Sequence, residues 1–202
     1  MTAALAHARF ETPVGDLSVF AGEDGVVRAA GFRPEAQVAA QLPAELLDHG
    51  WSAGRVPHVR EAVEAWLDGD GDAIAAVPVS QEGGPFFQQV WEATRCIVPG
   101  QPQSYQEVAA AAGSPRAMRA AGTACGHNAI ALFVPCHRVI ASGGRLGQYG
   151  PDGVGSKAAL LAFEAGWGDA AMLRAGREAR PDDVAPAVGV EWTAARRAAG
   201  NR

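Results

Sequence analysis

Three adjacent side chains that could take part in a chemical reaction occur at Cys136-His137-Arg138, directly after Pro135. A proline at the first helical position would place Cys136 near the positive N-terminal end of a short turn. Beside an imidazole and a guanidinium, a thiol there is expected to have a lowered pKa and a larger thiolate fraction. A buried structural cysteine is the alternative, but the three adjacent polar groups favour a reactive nucleophile.

Two other side chains are candidates to assist this thiol. His137 could act as its general base from a turn or a helix, or through a water molecule. Glu164 lies near the end of a predicted helix, 156–165, where a surface glutamate is the default. It is also a candidate to orient His137, as the third member of a catalytic triad does.

The sequence gives no indication of a metal or a cofactor. Cys136 has no second cysteine or histidine at the spacing of metal ligands. The chain also lacks Walker A and dinucleotide-binding motifs. We therefore expect chemistry performed by the side chains alone.

The secondary-structure elements that must position these residues fall into a strand-rich first part and a second domain that carries Cys136. The first 80 residues predict a strand-rich unit, with an antiparallel meander at 8–13, 17–21 and 26–32, helices at 34–42 and 56–67, and a further strand at 73–79. The Gly-rich stretch 80–85 predicts a linker. The expected organisation is an N-terminal domain at 1–80, a second domain at 86–166, and a flexible or loosely docked extension at 167–202.

The second domain begins with an amphipathic helix at 86–97 and continues with two short helices. Ser104 and Glu107 form a predicted capping box for a helix ending at Ala112. After Gly113, Ser114 and Pro115 predict the start of another helix that runs to about residue 126. Two helices joined by a tight turn have the shape of a helix-turn-helix, which is weak evidence on its own.

The second of these helices has an alanine-rich face, made of Ala117, Ala120, Ala121 and Ala124. Close packing against another helix explains such a face, and so does close approach of the backbone to a nucleic-acid groove. Arg116 and Arg119 would flank that surface. Residues 101–150 carry four arginines and one glutamate, in a chain of net charge −5. A locally basic face can bind a polyanion even when the whole protein is acidic.

Composition indicates a globular protein in a reducing compartment. Hydrophobic residues make up 48% of the 202 residues and charged residues 19%. The three cysteines form no CxxC pair, and no signal peptide or membrane-length apolar run is visible, so we expect a cytoplasmic protein.

An ordered set of motifs resembles the O6-alkylguanine-DNA alkyltransferases, also called methylated-DNA–protein-cysteine methyltransferases. The motifs span roughly residues 86–166 and comprise SYQEVA from Ser104, RAAGTA from Arg119, His127-Asn128, VPCHRVI around Cys136, residues 143–149, and KxxLLxxE from Lys157 to Glu164. The resemblance implies an α/β (α+β) fold. A ribonuclease-H-like N-terminal domain with an antiparallel sheet would precede a helical domain with a DNA-binding helix-turn-helix.

The resemblance also implies an activity, which is direct reversal of DNA damage. Such a protein would bind duplex DNA in the minor groove as a monomer and flip the alkylated guanine out of the stack. Cys136 would take the alkyl group irreversibly, activated through His137, a water molecule and Glu164. Each molecule would act once, without a cofactor. O4-alkylthymine remains open as a further substrate.

The resemblance assigns roles to further residues. Asn128 would brace the turn that carries Cys136, and Arg119 would fill the space left by the flipped base. Tyr105 would crowd the phosphate of the flipped nucleotide and donate a hydrogen bond to the base. Carbonyl groups of Cys136 and Val139 would bind the guanine amine. The remaining expected substrate and DNA contacts are Arg116, Ala117, Ala120 and Tyr149.

The pattern departs from the family at two places. Ala129 follows Asn128 where the family usually has proline, and the loop 150–156, which walls the alkyl pocket in the family, is about one residue longer than usual. The main alternative function is a non-catalytic lesion-binding protein of the alkyltransferase-like kind, which Cys136 argues against. A transcriptional regulator with an alkylation-sensing cysteine and an unrelated cysteine hydrolase are further alternatives.

Overall fold

The computed structural model describes residues 5–150, 152–166 and 180–182. Within these residues, no helix has the length and apolar character needed to cross a membrane. The predicted 167–202 extension lies almost wholly outside the described part. Its one described segment includes Pro181, whose carbonyl accepts a hydrogen bond from the backbone N–H of Gly147 at 2.9 Å.

A small mixed sheet forms the base of the N-terminal half. Its strands are β1 (Leu5–Phe10), β2 (Leu17–Ala21), β3 (Val27–Gly31) and β4 (Trp51–Ala53), in the order β3-β2-β1-β4. The antiparallel pairing of β1 with β2 and of β2 with β3 is the predicted meander. The short strand β4 was not predicted, and it pairs parallel to β1.

Four helices accompany this sheet: α1 (Glu35–Ala39), α2 (Ala44–Asp48), α3 (Pro57–Leu67) and α4 (Ala73–Ala76). The prediction of a strand at 73–79 is wrong, because residues 73–76 form α4. Only Val79 makes a β-bridge there, to Val27. A short apolar run fits a strand and a buried helical turn equally well. Here one turn of helix is enough to bury the side chain of Ile74.

The C-terminal half is mainly helical. It contains α5 (Pro85–Arg95), α6 (Tyr105–Ala111), α7 (Met118–Gly126), α8 (Gly153–Gly166), and the two-residue strands β5 (Gln103–Ser104) and β6 (Val139–Ile140). Helix α8 begins at Gly153, three residues before the predicted start. The predicted α+β fold class is confirmed.

The helix-turn-helix is formed by α6 and α7. The predicted capping box is present at Ser104 and Glu107. Gly113 has a φ of +77° and ends α6, because its N–H and that of Ser114 bond back to Ala110 and Ala109 in a Schellman arrangement. The predicted start of α7 at Pro115 is wrong. Residues 114–117 form a turn, closed by a bond from the Ala117 N–H to the Ser114 carbonyl, and α7 begins at Met118.

The two halves share one apolar core. A continuous cluster of buried side chains includes Leu17 and Trp66 from the N-terminal half and Val108, Phe133 and Phe163 from the C-terminal half. Strand β3 is also bonded to the loop before Cys136. The Ala30 N–H donates to the Ala129 carbonyl, and the Ala131 N–H donates to the Ala30 carbonyl, both at 2.9 Å. The N-terminal sheet therefore supports the loop that carries the candidate nucleophile.

Candidate active site

The loop 128–135 leads into a 3₁₀ turn, Cys136–Arg138, and every residue from 130 to 140 is buried. Leu132 has a φ of +71°, the only positive φ of a non-glycine residue among those described. A leucine in the left-handed region is uncommon and costs about 1–2 kcal/mol. The surrounding packing therefore holds this loop in a conformation that the chain would not adopt alone.

Asn128, which the resemblance assigns as a brace for this turn, makes three hydrogen bonds within the loop and to Cys136. Its Nδ2 donates to the Val134 carbonyl at 2.8 Å and to Cys136 Sγ at 3.0 Å. Its Oδ1 accepts from the backbone N–H of Ile130 at 3.0 Å. The amide thus fixes both ends of the loop and offers a hydrogen bond to the sulfur.

Cys136 borders a small cavity of about 70 Å³, together with Tyr105, Gly122, Cys125, Gly126, Gln148, Tyr149 and Gly150. The Cys136 residue is 5% exposed. The expected lowering of its pKa is wrong for this structure. Burial raises the pKa of Cys136 to about 11, and the Asn128 hydrogen bond and the Lys157 charge only partly oppose that rise. The resting group is therefore a thiol, and it needs a base.

His137, Arg138 and Glu164 form a buried cluster behind the cavity. Glu164 Oε1 lies 3.2 Å from His137 Nε2 and 2.8 Å from Arg138 Nη2, and Glu164 Oε2 accepts from Arg138 Nε at 2.9 Å. Burial alone would raise the pKa of Glu164, but the charges and hydrogen bonds of His137 and Arg138 hold it down at about 2. Glu164 is thus a buried carboxylate, and the default expectation of a surface residue is wrong.

The hydrogen bond to Glu164 determines the tautomer of His137. Because the carboxylate accepts, Nε2 carries the proton and Nδ1 keeps its lone pair. Burial lowers the pKa of His137 more than Glu164 raises it, so the imidazole is neutral. Its Nδ1 is buried and has no hydrogen-bond partner among the described residues. A neutral imidazole with a free lone pair is what a general base requires.

Four contacts, two of this cluster and two of Lys157, were not predicted from the sequence. Arg138 also donates to the Ile97 carbonyl at 2.7 Å, and Trp66 Nε1 lies 3.3 Å from Glu164 Oε1. Lys157 is fully buried and donates to the Val139 carbonyl at 2.6 Å and to the Gln148 carbonyl at 3.2 Å. Burial lowers the pKa of Lys157 to about 8. Lys157 is the first residue of the KxxLLxxE motif, but no role was predicted for it from the sequence.

The two tyrosines of the predicted site both border the cavity. Tyr105 is half-buried, its hydroxyl lies 3.5 Å from the Gln148 carbonyl, and the Lys157 ammonium lies 5.7 Å from its ring centroid. The hydroxyl of Tyr149 is buried without a hydrogen-bond partner among the described residues. Burial raises the pKa of both phenols, so both are neutral donors.

The alanine face of α7 is divided between the core and the surface. Ala121 and Ala124 are buried, and the Ala124 carbonyl accepts from Trp91 Nε1 at 2.9 Å, so packing explains these two. Ala117 and Ala120 are half-buried, and the side chains of Arg116 and Arg119 are exposed. The turn 114–117 and α7 therefore present small and basic residues to the outside, and Gly122 and Gly126 of the same helix border the cavity.

The fold and this site define a helix-turn-helix protein with a buried cysteine next in the sequence to a neutral histidine. Residues 85–166 match the family model described as the DNA-binding domain of 6-O-methylguanine DNA methyltransferase. The constitutive methylated-DNA–protein-cysteine methyltransferase of Bacillus subtilis is 35% identical over 153 residues, which are 76% of this chain and 88% of that protein. The bifunctional transcriptional activator and DNA repair enzyme Ada of Escherichia coli is also 35% identical, over 77% of this chain and 41% of Ada.

A solved structure shares this architecture. It is that of Mycobacterium tuberculosis OGT in complex with DNA, with a TM-score of 0.65 and 32% identity, over 80% of this chain and 94% of that one. The chain belongs to the methylated-DNA–protein-cysteine methyltransferase family, and the resemblance found in the sequence is confirmed.

Proposed function

We propose that the protein repairs alkylated DNA directly, by moving the alkyl group of O6-alkylguanine onto Cys136 in a single irreversible step. The observation that carries this proposal is that Cys136 borders a small cavity and is followed by a neutral His137 hydrogen-bonded to Glu164. Family membership supports the same chemistry. A non-catalytic lesion-binding role is less favoured, because an intact nucleophile and its base would then have no use.

The chemistry follows from the groups around the thiol. His137 Nδ1 takes the thiol proton through a bridging water molecule, and Asn128 Nδ2 and the Lys157 charge stabilise the thiolate that forms. The sulfur attacks the alkyl carbon, a C–S bond forms, and the bond from that carbon to O6 breaks. The proton returns to the guanine, which leaves as a neutral base. Tyr105 and Tyr149, as neutral phenols at the cavity, are suited to donate hydrogen bonds to the departing base.

The outer face of α7, together with the turn 114–117 before it, is the proposed DNA contact. Ala117 and Ala120 give a surface with short side chains, which suits a minor groove only ~6 Å wide. Arg116 and Arg119 supply positive charge for the backbone phosphates. The target guanine must leave the stack to reach Cys136, a residue that is 5% exposed. Arg119 would then occupy the vacated space in the duplex, and a monomer suffices for all these contacts. The site would work in the cytoplasm, where cysteines stay reduced.

The proposal is tested by mapping the product. We expect a duplex with one O6-methylguanine to transfer one methyl group per protein molecule, located on Cys136. Fragment ions are needed, because Cys125 and Cys136 share the tryptic peptide 120–138. Tight binding of the lesion without a methylated cysteine would contradict the proposal and support the lesion-binding alternative.

Arg119→Ala is expected to separate base flipping from chemistry. Flipping costs a few kcal/mol, so we expect transfer from duplex DNA to slow on the order of a hundredfold. Reaction with the free alkylated base O6-methylguanine, which needs no flipping, should stay at the wild-type rate. Single-turnover rates on both substrates make the comparison, and the exposed Arg55→Ala is the control for loss of one surface charge. Equal slowing on the two substrates would contradict the role of Arg119 in flipping.

A further inference from the structure

Gln81 lies in the stretch between the two halves of the chain and contacts Asn128, whose amide is hydrogen-bonded to Cys136. Its Nε2 donates to Asn128 Oδ1 at 3.0 Å, and its Oε1 accepts the backbone N–H of Ala129 at 2.7 Å. The Gln81 side chain thus forms hydrogen bonds with two consecutive residues at the start of the loop that carries Cys136. None of the motifs that characterise the family includes this position.

The backbone around Gln81 is held in place on both sides. Just before it, the Ser80 N–H donates to the Val27 carbonyl at 2.9 Å, which ties this segment to β3. The Gln81 carbonyl itself accepts from Gln88 Nε2 at 2.8 Å. The backbone that carries the Gln81 side chain is therefore fixed relative to both β3 and α5.

The bond from Gln81 bears on how the Asn128 amide is oriented. An asparagine side chain can turn by half a rotation and exchange its oxygen and its NH₂ group, so its partners select the orientation. Donors from Gln81 and from the Ile130 backbone both point at Oδ1. With Oδ1 held in that direction, Nδ2 must face the Val134 carbonyl and Cys136 Sγ.

We propose that Gln81 is a positioning residue for alkyl transfer, which keeps the Asn128 amide turned so that its NH₂ group donates to the sulfur of Cys136. Gln81 also supplies the acceptor for the Ala129 N–H, a group that a proline at this position would lack. The inference rests on the proposed function, since it concerns the same thiol.

Gln81→Glu tests the inference with almost no change of shape. The introduced carboxylate can still accept from Ala129, but it would face Asn128 Oδ1 with a second acceptor. We expect the Asn128 amide to turn over and present its oxygen to the sulfur, which disfavours the thiolate. Transfer near neutral pH should slow about tenfold or more, as for loss of one hydrogen bond to a charged group. The pH profile of the rate should move to higher pH.

Two further variants separate positioning from simple support of the fold. Gln81→Met removes both hydrogen bonds without adding a repulsive acceptor, so it should slow transfer less than Gln81→Glu. Gln89→Glu makes the same change of charge at an exposed position of α5 and should behave as wild type. DNA affinity should be the same in all of them.

Modification of Cys136 by iodoacetamide, followed by mass spectrometry, measures thiolate formation without DNA. This measurement tests the role of Gln81 even if the wild-type protein transfers no alkyl group. Absence of alkyl transfer by the wild-type protein would count against the proposed function, whereas an unaltered thiol reactivity in the Gln81 variants would not. Wild-type pH profiles for Gln81→Glu in both assays would overturn the inference. So would a slower reaction with an unchanged pH profile and a lower melting temperature, which would indicate a purely structural residue.

Discussion

Cys136→Ala is expected to abolish alkyl transfer while the affinity for DNA stays at the wild-type level. The substitution removes the sulfur that forms the new bond, and no other group near the cavity has the same neighbours. The proposed DNA contacts lie on the outer side of α7 and on the turn before it, and they do not involve the thiol. Single-turnover transfer from a methylated duplex and a binding titration with the same duplex are the two measurements.

The other two cysteines are the controls for this experiment. Cys96 is exposed and lies outside the cavity, so Cys96→Ala should transfer at the wild-type rate. Cys125 borders the same cavity, but burial raises its pKa far above the ordinary value, and no base is in hydrogen-bond contact with it in the described residues. Loss of DNA binding in Cys136→Ala would indicate that the cysteine supports the fold. Residual transfer that disappears only in a Cys125 variant would identify a different nucleophile.

Glu164→Gln is expected to cost about 3–5 kcal/mol of the free energy of unfolding, as for other broken buried ion pairs. The substitution keeps the shape of the side chain but leaves the guanidinium of Arg138, which is 2% exposed, without its carboxylate partner. The Ile97 carbonyl is then the main acceptor that remains for it. Urea denaturation measures the loss, and Glu92→Gln on the exposed side of α5 should change the free energy of unfolding little.

A double variant distinguishes the loss of this ion pair from a general disturbance of the core. Arg138→Met in the Glu164→Gln background removes the uncompensated charge, so part of the lost stability should return. A double variant no more stable than Glu164→Gln alone would show that the pairing is not the source of the effect.

The same cluster makes the protein sensitive to acid. The folded-state pKa of Glu164, about 2, lies below its ordinary value of 4.5. The stability that this group contributes is therefore complete above pH 4.5 and is lost as the pH falls toward 2. At 1.36 kcal/mol per pKa unit the contribution is about 3 kcal/mol. His137, whose pKa is also lowered, acts in the same direction below its ordinary value of 6.5. Glu164→Gln should consequently flatten the dependence of stability on pH below 4.5.

Much of the site could be predicted from the sequence because its parts lie in local motifs. Cys136 and His137 are neighbours, the capping box at Ser104 begins α6, and Glu164 follows Lys157 at helical spacing. The pKa of the thiol was predicted in the wrong direction. Sequence indicates the charged neighbours of a group, whereas the dominant effect here is burial, which depends on the whole fold.

Contacts between segments that are far apart in the sequence could not be predicted, because no local sequence pattern indicates them. Trp66 and Glu164 are 98 residues apart, and Gln81 and Ala129 are 48 residues apart. The division into domains at 1–80 and 86–166 stays a prediction. Strand β4 was missed because a three-residue strand with exposed side chains has no alternating pattern.

The hydrogen bonds between Ala30 and the loop at 129–131 have a consequence for recombining this protein with its relatives. A chimera that takes its first 80 residues from another member of the family can keep these backbone bonds, but it brings new β3 side chains that change how the strand packs beside the loop. Such a hybrid should lose activity even when the helix-turn-helix and Cys136 are intact. Residues 27–31 and 128–136 should therefore be taken from the same parent protein, although the two segments lie far apart in the sequence.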